Sequence, residues 1–199
     1  MKPKTHTDLT IILDESGSMS KLRDATISGF NEFVQQQEQL PGTADITLWK
    51  FNDRSTKVFT KPLAPAGSVR ISPKDYQPDS RTALLDTVGA AINDAGMRLS
   101  QRPHDDPANV IFVIITDGEE NSSTQFKLEQ IKSMITHQRE KYAWQFLFLG
   151  ANIDVFKAGF DLGIDKNMTQ SYVATSAGTQ AVYKQACATV SSIRAQVTP

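Results

Sequence analysis

Residues 9–18 read LTIILDESGS and residues 110–118 read VIFVIITDG, and these two segments give the clearest indication of the fold. Each begins with an unbroken run of mostly β-branched and aliphatic residues and ends in a polar turn that contains an aspartate. An apolar run of this length, bounded by a turn, is typical of a strand buried on both faces of a parallel sheet. We therefore predict two central strands, at residues 9–13 and 110–115, each followed by a polar loop.

The rest of the chain alternates between strand-like runs and segments with helical spacing of apolar residues. Four more strands are predicted, at residues 46–51, 56–60, 144–149 and 171–174. Five helices are predicted, beginning near Leu22, Leu84 and Leu128, within residues 151–163, and over residues 183–197. This order predicts an α/β, doubly wound, Rossmann-like fold. Its sheet is mainly parallel with one antiparallel hairpin strand around the turn 52–54, its helices cover both faces, and its 199 residues form a single domain spanning residues 1–199.

The amino-acid composition excludes or disfavours several classes of protein. The formal net charge of −1 lacks the strong positive field of a protein that binds nucleic acid through its phosphates, so nucleic acid is not an expected partner. The single cysteine, Cys187, excludes an internal disulfide and a multi-cysteine zinc site. No apolar run approaches the ~20 residues that a membrane span needs. We therefore expect a cytoplasmic protein without a membrane partner.

The loops at the carboxyl ends of parallel strands are where such sheets bind ligands. Asp14, Ser16 and Ser18 follow the first strand, Asp117 follows the strand at 110–115, and Thr82 precedes the helix between them. If the first and fourth strands are neighbours, these side chains form a cup of carboxylate and hydroxyl oxygens. Hard oxygen donors of this kind suit Mg²⁺, and Mn²⁺ or Ca²⁺ are alternatives.

Three sequence features together resemble the metal-ion-dependent adhesion site of von Willebrand factor A (vWA) domains. They are the motif Asp14-x-Ser16-x-Ser18, the separate Thr82, and the Thr-Asp-Gly motif that contains Asp117 and Gly118. The order of strands and helices resembles that family over nearly the whole chain. The resemblance implies that the hydroxyls of the two serines and the threonine ligate Mg²⁺ directly, while both aspartates act mostly through bound water. It also implies that a Glu or Asp of a partner protein fills the free position.

The resemblance is to intracellular vWA domains of bacterial or phage type. It implies a metal-dependent protein-binding module, not an enzyme, whose partner could be an AAA-type ATPase or a stress-resistance complex. One local feature departs from the family pattern. The residues before Thr82 are Asp79, Ser80 and Arg81, where the family often has glycine.

Five further polar residues lie near the predicted cup. Glu15, at the variable position of the first motif, is expected to face solvent or to gate access to the cup. Asp86 lies one helical turn beyond Thr82, where a supporting role and solvent exposure are both open. The contributions of Glu119, Glu120 and Asn152 are also left open.

The alternative function is a Mg²⁺-dependent hydrolase acting on a phosphate ester, because Mg²⁺ beside carboxylates can activate water. The sequence has no phosphate-binding loop motif of the Gly-x-x-x-x-Gly-Lys-Ser/Thr kind. His6, His104 and His137 lie in no metal-ligand spacing, and no general base is evident beyond the site's own carboxylates. These absences favour the binding module.

Overall fold

The computed structural model describes residues 6–62, 68–103 and 107–195. Their strands form one six-stranded sheet in the order β3-β2-β1-β4-β5-β6. The strands are β1 His6–Asp14, β2 Thr43–Phe51, β3 Thr56–Pro62, β4 Ala108–Thr116, β5 Gln145–Gly150 and β6 Thr169–Ser171. The helices are α1 Arg23–Glu38, α2 Leu84–Ser100, α3 Leu128–Tyr142, α4 Val155–Asp161 and α5 Ser176–Ala195. Within the described ranges no helix has both the length and the apolar character needed to cross a membrane.

The predicted class of fold is confirmed, including its one antiparallel pair. β1 pairs in parallel with β2 on one side and β4 on the other, and β5 and β6 continue the parallel order. Only β2 and β3 are antiparallel, joined by the predicted turn at residues 52–54. The sheet therefore places the carboxyl ends of β1, β4 and β5 along one edge.

The element boundaries differ most from the predictions near the end of the described chain, and β1 and β2 also begin three residues before their predicted starts. A 3₁₀ turn at Gly17–Leu22 precedes α1, which begins at Arg23, next to its predicted start. The edge strand β6 ends at Ser171, where the prediction had it begin. The last helix starts at Ser176, well before the predicted start. Its first turns carry few apolar residues, so the apolar spacing did not reveal them. The predicted end of that helix at Val197 lies outside the described residues.

Successive side chains of the central strands point to opposite faces of the sheet, so the core is divided into two layers. In β1, Leu9, Ile11 and Leu13 pack under α1 and α5, whereas Ile12 faces the opposite layer. The opposite layer joins α2 and α3 to the sheet around Phe112, whose ring stacks on neighbouring aromatic rings. All nine residues of β1 are buried, as expected for a central strand covered on both faces.

The contact between α1 and α5 depends on a missing side chain. A Cβ at Gly29 of α1 would lie 2.4 Å from Cδ2 of Tyr183 in α5, which is too close for two carbon atoms. Gly96 in α2 offers a matched comparison, because a Cβ there would meet nothing within 4 Å.

We predict that Gly29→Ala destabilises the protein by about 1–3 kcal/mol, because the added methyl overpacks the α1–α5 contact. Gly96→Ala should stabilise it by about 0.5–1 kcal/mol, because alanine loses less backbone entropy in a helix. Urea denaturation midpoints of the two variants measure the difference. Equal midpoints would contradict the close packing of the two helices.

Candidate metal centre

The two aspartates of the predicted cup emerge from adjacent strands. Asp14 is the last residue of β1, and Asp117 directly follows β4, which pairs with β1 in parallel. The assumption that the first and fourth strands are neighbours is therefore correct. Both carboxylates are buried in the sheet edge, and Asp14 is completely inaccessible to solvent.

The serine hydroxyls connect the two aspartate loops. Ser18 Oγ donates a hydrogen bond of 2.5 Å to Oδ1 of Asp117, across 99 positions of sequence. Ser16 Oγ lies 3.2 Å from Ser18 Oγ, so the two hydroxyls of the first motif point to the same side. Ser18 is exposed, whereas Ser16 and Asp117 are buried, so the cup opens to solvent at Ser18.

Thr82 reaches the same cup from the loop before α2. Its hydroxyl and that of Ser18 each lie 3.4 Å from the position that a Cβ would take on Gly118. Two hydrogen bonds hold the threonine in place: its N–H donates to Oδ1 of Asn121 at 3.1 Å, and its carbonyl accepts from the N–H of Asn121 at 3.2 Å. The hydroxyls thus converge in front of a residue that has no side chain.

The carboxylate of Asp14 is fixed by donors on two sides. Its Oδ1 accepts a 2.7 Å hydrogen bond from the N–H of Ser16, and its Oδ2 accepts one of 2.6 Å from the hydroxyl of Thr116. The Asp14 carbonyl accepts a 2.5 Å bond from the hydroxyl of Tyr76, which is fully buried. The sequence offered Thr116 as part of the Thr-Asp-Gly motif, but nothing in it indicated the contribution of Tyr76.

The cup brings the carboxylates of Asp14 and Asp117 together where both are shielded from solvent. Burial raises the pKa of Asp14 to about 6, hydrogen bonds from Thr116 and Ser16 oppose the rise, and the nearby charge of Asp117 adds to it. Burial likewise raises the pKa of Asp117, and the hydrogen bond from Ser18 opposes that rise. Within the described part of the chain, neither carboxylate forms an ion pair with a lysine or arginine.

Glu15 lies where the sequence did not place it. The expectation of a solvent-facing or gating residue is wrong, because only 2% of Glu15 is exposed. Its Oε1 lies 3.3 Å from Nζ of Lys50, which is also buried, and accepts a 2.7 Å hydrogen bond from the N–H of Gln77. Burial lowers the pKa of Lys50, and the charge of Glu15 opposes that effect. The sequence could not predict this ion pair, because nothing distinguishes Lys50 from any other lysine within a strand.

Backbone hydrogen bonds hold the segment before Thr82 against the loop that follows β1, and so position Thr82 at the cup. The N–H of Asp79 donates to the carbonyl of Glu15 at 2.9 Å, and the N–H of Gly17 donates to the carbonyl of Ser80 at 3.0 Å. Ser80 has a positive φ of 71°, which turns the chain towards Thr82. These contacts occupy the positions at which the sequence departs from the vWA pattern.

Of the four remaining polar residues, Asp86 and Glu120 hold the surrounding loops, and Glu119 and Asn152 are exposed. Asp86 accepts hydrogen bonds from three consecutive N–H groups, at residues 124–126. Glu120 accepts hydrogen bonds from the backbone at Leu85 and at residues 122 and 123. Glu119 is exposed beside the cup, and Asn152 is exposed after β5 with a positive φ of 57°.

The donor set decides what the cup could hold. Among the described residues, no group of three or more His, Cys, Asp and Glu side chains is positioned to hold a metal ion. A metal at this edge would therefore depend on hydroxyl oxygens, and the cup offers those of Ser16, Ser18 and Thr82 beside two carboxylates. An oxygen-only set fits Mg²⁺, Mn²⁺ or Ca²⁺ and does not favour softer metals.

The sheet order and the solved structures that superpose on this chain define a vWA, Rossmann-like fold. The SpRpn10 VWA domain superposes with a TM-score of 0.58 at 13% identity, covering 90% of this chain and 94% of that one. The vWF domain of the type V pili tip protein Mfa5 from Porphyromonas gingivalis gives 0.60 at 10% identity, covering 98% and 97%.

A third neighbour is the manganese-loaded Plasmodium vivax TRAP protein, with a TM-score of 0.53 at 15% identity over 92% of this chain and 74% of that one. In two further matched structures the chain spans less than half of the neighbour's length, 46% and 42%. No protein-family model matches the sequence, and no curated protein matches it. At these identities the comparisons establish the fold alone.

We predict that Thr116→Val destabilises the protein by about 1–3 kcal/mol, because it leaves a buried oxygen of Asp14 without its donor. Thr26→Val is the matched control, since the Thr26 hydroxyl is buried in α1 with no hydrogen-bond partner in the described structure. That control should change the free energy of unfolding little or raise it. Chemical denaturation in EDTA compares the two, and equal losses would contradict a fixing role for Thr116.

Proposed function

We propose that this chain is a metal-dependent protein-binding module. Asp14, Ser16, Ser18, Thr82 and Asp117 hold Mg²⁺, and a Glu or Asp of a partner protein completes the coordination of the ion. The observation that carries the proposal is the convergence of three separate loops on the space in front of Gly118. Mn²⁺ and Ca²⁺ could take the same place, and one neighbour of this fold is manganese-loaded.

The charge balance supports an ion at this position. Two buried carboxylates without a paired cation are unfavourable, and a divalent ion offsets both. Both oxygens of Asp14 already accept hydrogen bonds, which suits an aspartate that acts through bound water. If the neutral hydroxyls of Ser18 and its neighbours ligate the ion directly, the ion remains electrophilic and favours an anionic sixth ligand. A partner carboxylate meets that preference.

A cytoplasmic, bacterial or phage setting belongs to the same proposal, with an AAA-type ATPase or a stress-resistance complex as the candidate partner. The hydrolase alternative has less support. His6 begins β1 and so lies at the opposite edge of the sheet, His137 is exposed on α3, and His104 lies outside the described residues. Turnover of a generic phosphate ester with Mg²⁺, lost in Asp117→Ala, would revive the alternative.

We predict that Mg²⁺ binds the protein and that Ser18→Ala weakens the binding at least about tenfold, because one direct ligand is lost. Asp14→Ala should abolish it. Ser20→Ala is the matched control, because Ser20 lies in the same 3₁₀ turn and its hydroxyl makes only a 3.4 Å contact with the carbonyl of Pro78. Isothermal titration calorimetry measures the affinities.

Circular dichroism of each variant separates loss of binding from loss of fold. Equal Mg²⁺ isotherms for the wild-type protein and Asp14→Ala would show that the cup is not the metal site. Equal weakening by Ser18→Ala and Ser20→Ala would show that the effect is not specific to the cup.

We predict that immobilised protein captures a partner in Mg²⁺ and releases it in EDTA, because the ion bridges the two proteins. Thr82→Ala should lose the partner in Mg²⁺, whereas Ser20→Ala should retain it. Mass spectrometry of the eluate identifies the partner, and replacement of its acidic residues in turn should locate one whose loss prevents capture. Capture that is unchanged by EDTA and by Thr82→Ala would contradict a metal-mediated contact.

A further inference from the structure

A groove opens directly beside the cup on the side of α2, α3 and α4. Its volume is about 370 Å³, within the range of sites that enclose small ligands or side chains. Gly118 and Glu119, which follow the cup residue Asp117, form one wall of it. Because Gly118 also borders the hydroxyls of Ser18 and Thr82, the groove and the cup share a boundary.

The walls of the groove are mainly apolar. They include the side chains of Leu84, Leu85, Leu128, Phe148, Ile153 and Leu162. Phe148 and Leu162 are buried, whereas Leu128 is 37% exposed at the first position of α3. The apolar wall thus extends from the core to the surface, next to a site that we assign to a partner protein.

The charged side chains around the groove are mostly acidic. Four carboxylates line it, and Lys157 is the only cationic residue among the lining residues. The ammonium of Lys157 lies 2.7 Å from a carboxylate oxygen of Asp161, so its charge is already paired. Glu119 and Asp154 are exposed. The field at the opening therefore favours a positively charged group.

We propose that the groove binds an apolar side chain of the same partner segment that delivers the carboxylate to the metal. A lysine or arginine beside that apolar side chain meets the acidic rim. The continuity of groove and cup through Gly118 assigns both to one segment, and the rim charge selects the flanking residue. This inference rests on the proposed function, and it defines the partner by an acidic residue followed or preceded by an apolar–basic pair.

The groove also gives a reason for specificity. A single carboxylate on a metal ion recognises any exposed Glu or Asp, so it distinguishes poorly between partners. An apolar side chain buried beside it adds affinity only when its spacing from the carboxylate matches the distance from cup to groove. The protein would then select partners by the spacing between the carboxylate and the apolar side chain.

The test uses synthetic peptides of glycine and serine that contain one Glu and a Leu-Lys pair. The pair is placed about one to four residues before or after the Glu, which spans roughly 3–14 Å of extended chain. Each peptide has a counterpart with Ser in place of Leu. Amide NMR of the labelled protein reports the cup through Gly17, the shared boundary through Gly118, and the groove through Ala158 and Leu162, in MgCl₂ and in EDTA.

We expect one spacing to shift both sets of amides in MgCl₂ and to bind at least about tenfold more tightly than its serine counterpart, a difference of about 1.4 kcal/mol. Leu128→Ser should remove most of that gain, and Glu119→Lys should reduce the preference for the basic residue. Met97→Ser is the matched control, because Met97 is 65% exposed on α2 and does not line the groove.

The outcomes separate the two proposals. If Glu peptides shift Gly118 in MgCl₂ but leucine adds nothing at any spacing, the groove inference is wrong and the metal-dependent module stands. If MgCl₂ alone leaves the amides of Gly17 and Gly118 unchanged and no peptide binds, the module itself is wrong. Tighter binding of the leucine peptide that persists in EDTA would contradict a segment shared with the metal. Tighter binding that persists in Leu128→Ser would contradict the groove as the site of the leucine.

Discussion

The parallel pairing of β1 with β4 sets the positions of the residues in the cup. It brings Asp14 beside Thr116, 102 positions away, and their 2.6 Å hydrogen bond closes the two loops on each other. The Ser18–Asp117 bond follows from the same juxtaposition. Both strands are buried on both faces, so their positions are set by core packing on two sides. The core thus determines the geometry of a polar site at its edge.

The cost of that arrangement is electrostatic. Two carboxylates share a desolvated edge, and the pKa of Asp14 rises to about 6 although two donors hold it. A group whose pKa is raised in the folded state stabilises the fold less once it is ionised. Such a centre is tolerated when a ligand offsets the charge, which is common at functional sites. The same imbalance therefore opposes folding stability and favours cation binding.

The sequence predicted the parallel sheet because strand-like runs alternate with segments of helical spacing along the chain, and it placed the two aspartate loops at the carboxyl ends of their strands. It also predicted that the five residues of the cup lie together, as they do, while their binding of a metal stays a prediction. It placed Glu15 wrongly because an alternating motif does not reveal which side chain turns inward, and the partner of Glu15, Lys50, lies in another strand. It could not find Tyr76, whose role depends on an irregular segment that carries no periodicity.

The buried pair of Glu15 and Lys50 has its main effect on position. Removing two opposite charges from water brings little net stability, because the desolvation of both ions offsets their attraction. Glu15, however, also accepts from the backbone of Gln77, and its carbonyl accepts from Asp79. It therefore anchors the segment that ends in Thr82 to the loop that begins with Asp14. With this anchor, Thr82 can face Ser18 without the glycines that often precede it in the vWA pattern. The departure in sequence is compensated by a contact within the fold.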